Sequence, residues 1–309
     1  MVTDEIAGRN LPAWAAEDHA CGRCSLAYAQ ITVDDAVHAI QALPEQLRAA
    51  VDAVPSRFRR QRPDPSTWSV TEYACHIRDV LISTTIRLHR GRTENAPAVD
   101  PMFNDLRADL FRYNQANLTA VLEETAAAMV GLCAEISRMN GPDWERVVLR
   151  QPGEQRTSRW LVRQAMHEGL HHLDDIAAVH ASLTYCGRDL TGHRPSQARK
   201  RHRGIPAPLS ALLQPHLARR RRRQGRPDGP RTAGPARRCS AATAPAPAAP
   251  EAAAAGLCAE ISRMNGPDWE RVVLRQPGEQ RTSRWLVRQA MHEGLHHLDD
   301  IAAVRASLT

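Results

Sequence analysis

The apolar positions of this chain fall into four helical stripes between residues 31 and 184. In the first, Val33, Val37, Ile40 and Leu43 recur at helical spacing behind Thr32, and Asp35 stands where a capping partner belongs. Pro44 either kinks this helix or starts a second turn through Leu47, Val51 and Val54. Pro55, Pro63 and Pro65 make 55–67 a loop. Ser69-Val70-Thr71-Glu72 then spells a capping box, and the helix behind it runs to about Arg90. Tyr73, His76, Ile77, Val80 and Thr84 share its inward stripe. Residues 91–112 are mixed. A third helix is expected from about Asn117 to Met139, with Leu118, Val121, Leu122, Thr125 and Met129 on one side, and Asn140-Gly141-Pro142 stops it. Residues 143–156, which include Trp144, read as a connection. A fourth helix starts near Thr157 or Ser158 and fades by about Leu183; Trp160, Gln164, His167, His171 and Asp174 share one stripe.

Four helices in about 150 residues predict an all-α four-helix bundle with room for a real core. Around it the pattern changes. Residues 1–30 are poorly patterned and read as an N-terminal tail carrying Cys21-Gly22-Arg23-Cys24. Residues 185–255 are almost wholly Arg, Pro, Ala, Gly and Ser, with Arg219 to Arg223 unbroken. Such a stretch cannot bury enough apolar surface to offset its ordering entropy and is expected to be disordered. Residues 256–309 then repeat 131–184, identical at 53 of 54 positions, His180 becoming Arg305. The copy holds only two helices and no counterpart of His76. It packs loosely, competes with the first copy for its slot, or exchanges between chains to make a homodimer. The shorter loop closure favours the first copy.

The charge follows the same division. The whole chain carries +7, but 185–255 has 15 Lys+Arg against 3 Asp+Glu, so the remainder is 26 basic against 31 acidic. The pI near 9.4 therefore describes the linker and not the bundle. Lys200 is the one lysine among 41 basic residues, which points to an Arg-favouring genome more than to nucleic-acid recognition. Weak, sequence-independent nucleic-acid contact is the most that 185–255 supports. The first 30 residues show no leader pattern, no window is apolar enough to span a membrane, and seven cysteines are too sparse for a disulfide framework. A cytoplasmic protein with reduced thiols is expected.

The chemistry centres on His167-Glu168-Gly169-Leu170-His171-His172. Histidines at i and i+4 lie one turn apart, as helix-borne ligands of a zinc-like ion do. The His-Glu-x-x-His spelling invites a zinc-protease reading with Glu168 as base. The third ligand excludes it: Asp174 and Ala177 stand where a metzincin needs Gly and His, and no Glu occurs between Glu168 and Glu251. His76, inward on its own helix, is the remaining partner, so the expected metal ligands are His76, His167 and His171. Asp79 and Asp174, each one turn from a ligand, are expected to orient imidazoles. His172 lies off that face and is expected beside the ligands or at the surface, and Glu168 at the surface. Cys75 is expected to be a buried structural thiol. Cys21 and Cys24, with His19 nearby, either hold zinc, form a redox pair or belong to an inert tail.

Glu72-Tyr73-Ala74-Cys75-His76-Ile77-Arg78-Asp79-Val80, then Arg159-Trp160-Leu161 and His167 to Ile176, resembles the DinB-like superfamily over about residues 31–184. That group includes bacillithiol transferases and the metal-binding domain of mycothiol-dependent maleylpyruvate isomerase. The resemblance implies a four-helix bundle holding a divalent metal, Zn or Ni, on three histidines. It also implies a low-molecular-weight thiol, mycothiol in an actinobacterial host, activated toward a small electrophilic substrate. A hydrolase using water in place of the thiol, or a non-catalytic bundle with a basic associating segment, are the alternatives.

Overall fold

Both expected capping boxes form, and they fix the starts of the first two long helices. Thr32 Oγ1 accepts from the Asp35 N–H at 3.1 Å while the Asp35 carboxylate accepts from the Thr32 N–H at 3.1 Å. The helix they open, α1 (Val33–Asp52), runs unbroken through Pro44. Ser69 Oγ and the Glu72 carboxylate exchange the same pair of bonds at the head of α2 (Val70–Thr93). Arg62 clasps Glu72 from outside through Nε and an amino nitrogen, so this cap is also an ion pair. A short helix α3 (Asn104–Leu110) lies in the connection left unassigned from sequence. Asn117 caps α4 (Leu118–Ile136) by accepting from the N–H groups of Thr119 and Ala120.

The stretch expected as a plain connection forms a hairpin, β1 (Val147–Gln151) with β2 (Glu154–Thr157), antiparallel with Val147 opposite Thr157 and Leu149 opposite Gln155. Three consecutive apolar residues were too short a run to separate strand from buried loop. Leu149 also pairs with the 94–103 connection, donating to Pro97 O at 2.9 Å and accepting from the Val99 N–H at 2.7 Å. The last helix, α5 (Ser158–Cys186), follows directly.

The computed structural model describes residues 12–151, 153–186, 257–258, 261–276 and 279–307. Beyond Tyr185 and Cys186, which end α5, the expected disordered linker falls outside the described residues up to its end at 255. The chain divides into two compact units, 1–249 and 250–309. In the first, α2 packs against α4 and α5, and α1 against the same two helices. The consecutive helices α1 and α2 are thus diagonal to one another. This places α5, the helix with the histidine motif, between them. Among the described residues no helix is long and apolar enough to cross a membrane.

The N-terminal segment is not an inert tail from Pro12 onward. Leu26, Tyr28 and Ile31 are core residues, Cys24 is buried, and the Trp14 ring lies 5.3 Å from that of Trp160. Arg156 holds the segment by donating to the carbonyls of Trp14 and Ala15. Too few apolar residues occur here to show a period, yet each one finds the bundle.

The second unit repeats the hairpin as β3 (Val272–Gln276) and β4 (Glu279–Thr282), after a one-turn helix α6 (Gly266–Trp269), and ends in α7 (Ser283–Ser307). The apolar residues of α7 that correspond to core residues of α5 stay exposed: Leu295 at 56%, Leu298 at 62% and Ile301 at 64%. Two helices cannot close a core of their own. Among the described residues, every buried apolar residue lies between Cys24 and Leu183. Ending the chain after Cys186 is therefore expected to change the stability of the bundle by less than about 0.5 kcal/mol in urea unfolding. A larger loss would show that the second copy supports the first.

Candidate metal centre

An α-helix turns about 100° per residue, so His-Glu-Gly-Leu-His-His carries two interleaved i,i+4 pairs on adjacent faces. One pair is His167 and His171; the other is Glu168 and His172. The structure turns the second pair toward α2. His76, Glu168 and His172 bring three ligand atoms within 4.8 Å of one another. Glu168 Oε2 stands 3.3 Å from His76 Nε2 and 3.2 Å from His172 Nε2. His167 and His171 face the N-terminal segment instead and group with Cys21 and Cys24, again with all ligand atoms within 4.8 Å. The expected trio of His76, His167 and His171 is thus split between two groups. The reason is rotational: α5 meets α2 one residue later in the motif than the stripe through Trp160 suggested.

Glu168, expected at the surface, sits at the helix interface together with His172. The Glu168 side chain is 25% exposed and His172 15%. Gln164 Nε2 donates to the other oxygen of Glu168. His172 Nδ1 lies 2.9 Å from Asp175 Oδ2, and its ring packs against Trp68, Tyr73 and His76. Burial pushes the His76 imidazole below its ordinary pKa. Burial also disfavours charge on Glu168, but the hydrogen bonds from His172 and His76 prevail and hold its carboxyl well below the usual range. On His172 burial is likewise outweighed, by Asp175 and Glu168, which raise it to about 9. Without a metal this group is held together by a buried imidazolium between two carboxylates.

The second group is organised differently. Cys21 Sγ lies 3.7 Å from His171 Nδ1. His167 Nδ1 is 3.0 Å from the Tyr28 hydroxyl, which in turn donates to Gln164 Oε1 at 2.5 Å. Burial drives the His167 pKa down to about 4, so its ring is neutral. A chain of hydrogen bonds, His167 to Tyr28 to Gln164 to Glu168, connects the two groups.

Asp79 and Asp174 stand elsewhere than expected. Asp79 accepts from Arg78 Nε at 2.7 Å and Arg107 Nε at 2.6 Å, and from the Tyr113 hydroxyl. Asp174 is half-buried and its charge bears on Cys24, while Asp175 is the carboxylate on His172. Cys75 is fully buried, as expected, with its thiol 3.8 Å from Tyr113 O.

A cavity of about 570 Å³ opens beside the first group, with His76, Gln164, Glu168, His167, Arg87 and Arg150 in its walls. Arg150 is paired with Glu154 at 2.6 Å. Arg87 has no carboxylate within salt-bridge reach among the described residues and donates to Asp100 O at 2.6 Å. Burial, and then the charge of Arg150, bring its pKa down to about 10, still leaving it cationic at neutral pH.

Residues 39–176 match the family model of the DinB superfamily. No curated protein matches the chain. Among solved structures, one match is YfiT from Bacillus subtilis, described as a probable metal-dependent hydrolase with an unusual four-helix bundle topology. It is 16% identical, covers 49% of this chain and 87% of its own, and has a TM-score of 0.46. The matched residues 39–176 hold most of α1, all of α2 and α4, and the histidine motif of α5, so the bundle is similar to the DinB superfamily over its site-bearing part.

Proposed function

We propose that the bundle is a metal-dependent transferase in which His76, Glu168 and His172 hold a divalent ion, Zn or Ni, and a low-molecular-weight thiol attacks a small anionic electrophile. The observation that carries this reading is the grouping of the three donors within 4.8 Å, two of which, His76 and Glu168, line a cavity that Arg87 also lines. Two imidazoles and one carboxylate are a donor set of catalytic zinc sites, which leave one position open. They leave one net positive charge on a divalent ion, so the set fits. A bound ion supplies a Lewis acid that lowers the pKa of a coordinated thiol.

The chain's own residues do the rest. Gln164 fixes the Glu168 carboxylate, and Asp175 fixes the ring of His172, so both donors keep their orientation through substrate entry. Arg87, which meets no carboxylate among the described residues, offers its guanidinium to a carboxylate or similar group on the electrophile. Trp14 and Trp160 line the same cavity and exclude water from the apolar part of the substrate. The cytoplasm, with its reduced thiol pool, is the compartment that suits this chemistry.

The test is turnover by the full chain loaded with zinc or nickel, given a mycothiol-like thiol and a halogenated arene bearing a carboxylate. Formation of the thioether, measured by mass spectrometry, is the expected result. Consumption of the electrophile without thiol would replace the transferase reading with hydrolysis. A chain that binds no divalent ion would remove both.

A further inference from the structure

The group on the adjacent face of α5 supplies no ligand to that centre. Its four members combine two helix-borne imidazoles one turn apart with a Cys-x-x-Cys turn 143 to 150 positions earlier in sequence. The turn is closely built. Ala20 bridges Ala27, Cys21 N–H donates to Leu26 O at 2.8 Å, and Ser25 N–H donates to Cys21 O at 2.9 Å, with Ser25 at φ 59°. The backbone N–H groups of Arg23 and Cys24 point at the Cys21 sulfur, and that of Leu26 at the Cys24 sulfur. N–H groups converging on sulfur favour thiolate, the form that binds metal; on Cys24 burial outweighs them and raises that thiol to about 11, so its thiolate needs the ion itself.

The imidazoles are equally prepared. With His167 Nδ1 donating to Tyr28, and Tyr28 donating to Gln164, the lone pair of His167 resides on Nε2. That atom is buried and has no hydrogen-bond partner. His167 as a whole is 8% exposed, and a buried unpaired acceptor is destabilising unless something occupies it. His171 offers Nδ1 to the group, with Nε2 3.9 Å from Asp175 Oδ2. Tetrahedral zinc with two sulfur and two nitrogen ligands sets ligand atoms about 3.4–3.8 Å apart. The Cys21–His171 separation of 3.7 Å already meets that spacing.

We propose that Cys21, Cys24, His167 and His171 bind one zinc ion as a closed, four-ligand structural site. Two thiolates and two neutral imidazoles satisfy the ion's charge and leave no open position, so the site holds structure and performs no chemistry. What it holds is the segment from Pro12 to Ile31. Leu26, Tyr28 and Ile31 seat this segment in the core, and the ion cross-links it to α5. Pro12, Trp14, Ala15 and His19 of that segment line the cavity, so the ion also fixes one cavity wall. Tyr28 carries the orientation of His167 on to Gln164 and Glu168. This proposal does not depend on the catalytic reading, because the two groups share no ligand.

The test is cobalt substitution of the full chain. Sulfur ligation gives a charge-transfer band in the near ultraviolet together with the strong visible bands of tetrahedral cobalt. A centre made of His76, Glu168 and His172 gives no sulfur band. The expected result is a thiolate band at one equivalent of cobalt that is lost in both Cys21→Ser and His171→Asn and kept in His76→Ala and Glu168→Gln. In the zinc protein, hydrogen exchange of residues 12–31 should quicken at least tenfold in the same two variants while α2 and α4 stay protected. His171→Asn leaves the Cys-x-x-Cys turn intact, so its result does not depend on that turn folding. Absence of the thiolate band in the unmodified chain would overturn the proposal. So would a band that survives both substitutions, or a metal-free protein in which Cys21 and Cys24 form a disulfide.

Discussion

Glu168→Gln is expected to empty the cavity-side centre and reduce turnover by more than about 100-fold. Loss of a mere outer partner of a metal ligand costs roughly 10–100-fold in affinity or activity, and Glu168 is the anionic donor itself. The substitution preserves volume, the hydrogen bond from Gln164 can persist, and His172 keeps Asp175 as its partner. What disappears is the charge that two imidazoles share at 3.2 and 3.3 Å. His76→Ala should have the same effect on bound metal, and His167→Ala should instead remove the thiolate-bound ion. Metal analysis of the three purified variants, with cobalt spectra to tell the two ions apart, checks this. If His167→Ala removes the same ion as His76→Ala while Glu168→Gln leaves it in place, the ligands are His76, His167 and His171, and the reassignment fails.

The largest loss of stability is expected at Asp79, one turn from His76. Its carboxylate is 4% exposed and receives Arg78, Arg107 and the Tyr113 hydroxyl. Arg78 is itself buried, with Glu124 as its other partner at 2.6 Å. Asp79→Asn leaves a guanidinium buried with half its neutralising charge gone. Breaking a buried pair this way costs about 3–5 kcal/mol. For a bundle of this size that lowers the melting temperature by roughly 6–20 °C. The pH dependence has a definite sign. Burial disfavours the Asp79 carboxylate, but the charges of Arg78 and Arg107 and the hydrogen bonds outweigh it and depress its pKa in the fold. Its contribution is complete above the unfolded carboxyl value near ~4 and is lost as pH falls toward the depressed folded value. The wild-type chain should therefore lose more stability than Asp79→Asn between pH 5 and ~2, followed by urea unfolding. Equal slopes would mean that Asp79 is not held ionised by the fold.

The helices were legible because their signals are local. A Thr or Ser three residues before an acid fixes a helix start without reference to anything distant, and α1 and α2 begin where Thr32 and Ser69 say. The bundle and the inward position of His76 follow from period alone. The division of the histidine motif was not legible. His167 with His171 and Glu168 with His172 are equally spaced, and only the packing angle of α5 against α2 and the N-terminal segment decides what each pair faces. A rotation of one residue exchanged which donors met His76. The role of residues 12–31 was hidden for a related reason. Its few apolar residues, Leu26, Tyr28 and Ile31, form no pattern of their own, and the partners of Tyr28 lie more than a hundred residues away on α5. The hairpin was hidden because Val147-Val148-Leu149 pairs across a turn too short to display alternation.

The diagonal placement of α1 and α2 gives the order of synthesis a role in folding. Neither helix can find its main partners until α4 and α5 have been made, so the first half of the chain waits. Two stretches then arrive that could fill the place of α5, and they differ at one position of 54. The second begins 125 residues after the first, at 256 against 131. At ~5–20 residues per second on the ribosome, that is a lead of roughly 6–25 s. Small helical bundles complete folding in about microseconds to milliseconds. The first copy is seated long before its twin is translated, and displacement then requires the finished bundle to open. A choice that equilibrium leaves nearly even is made by the clock of translation, and a chain refolded from denaturant loses that advantage.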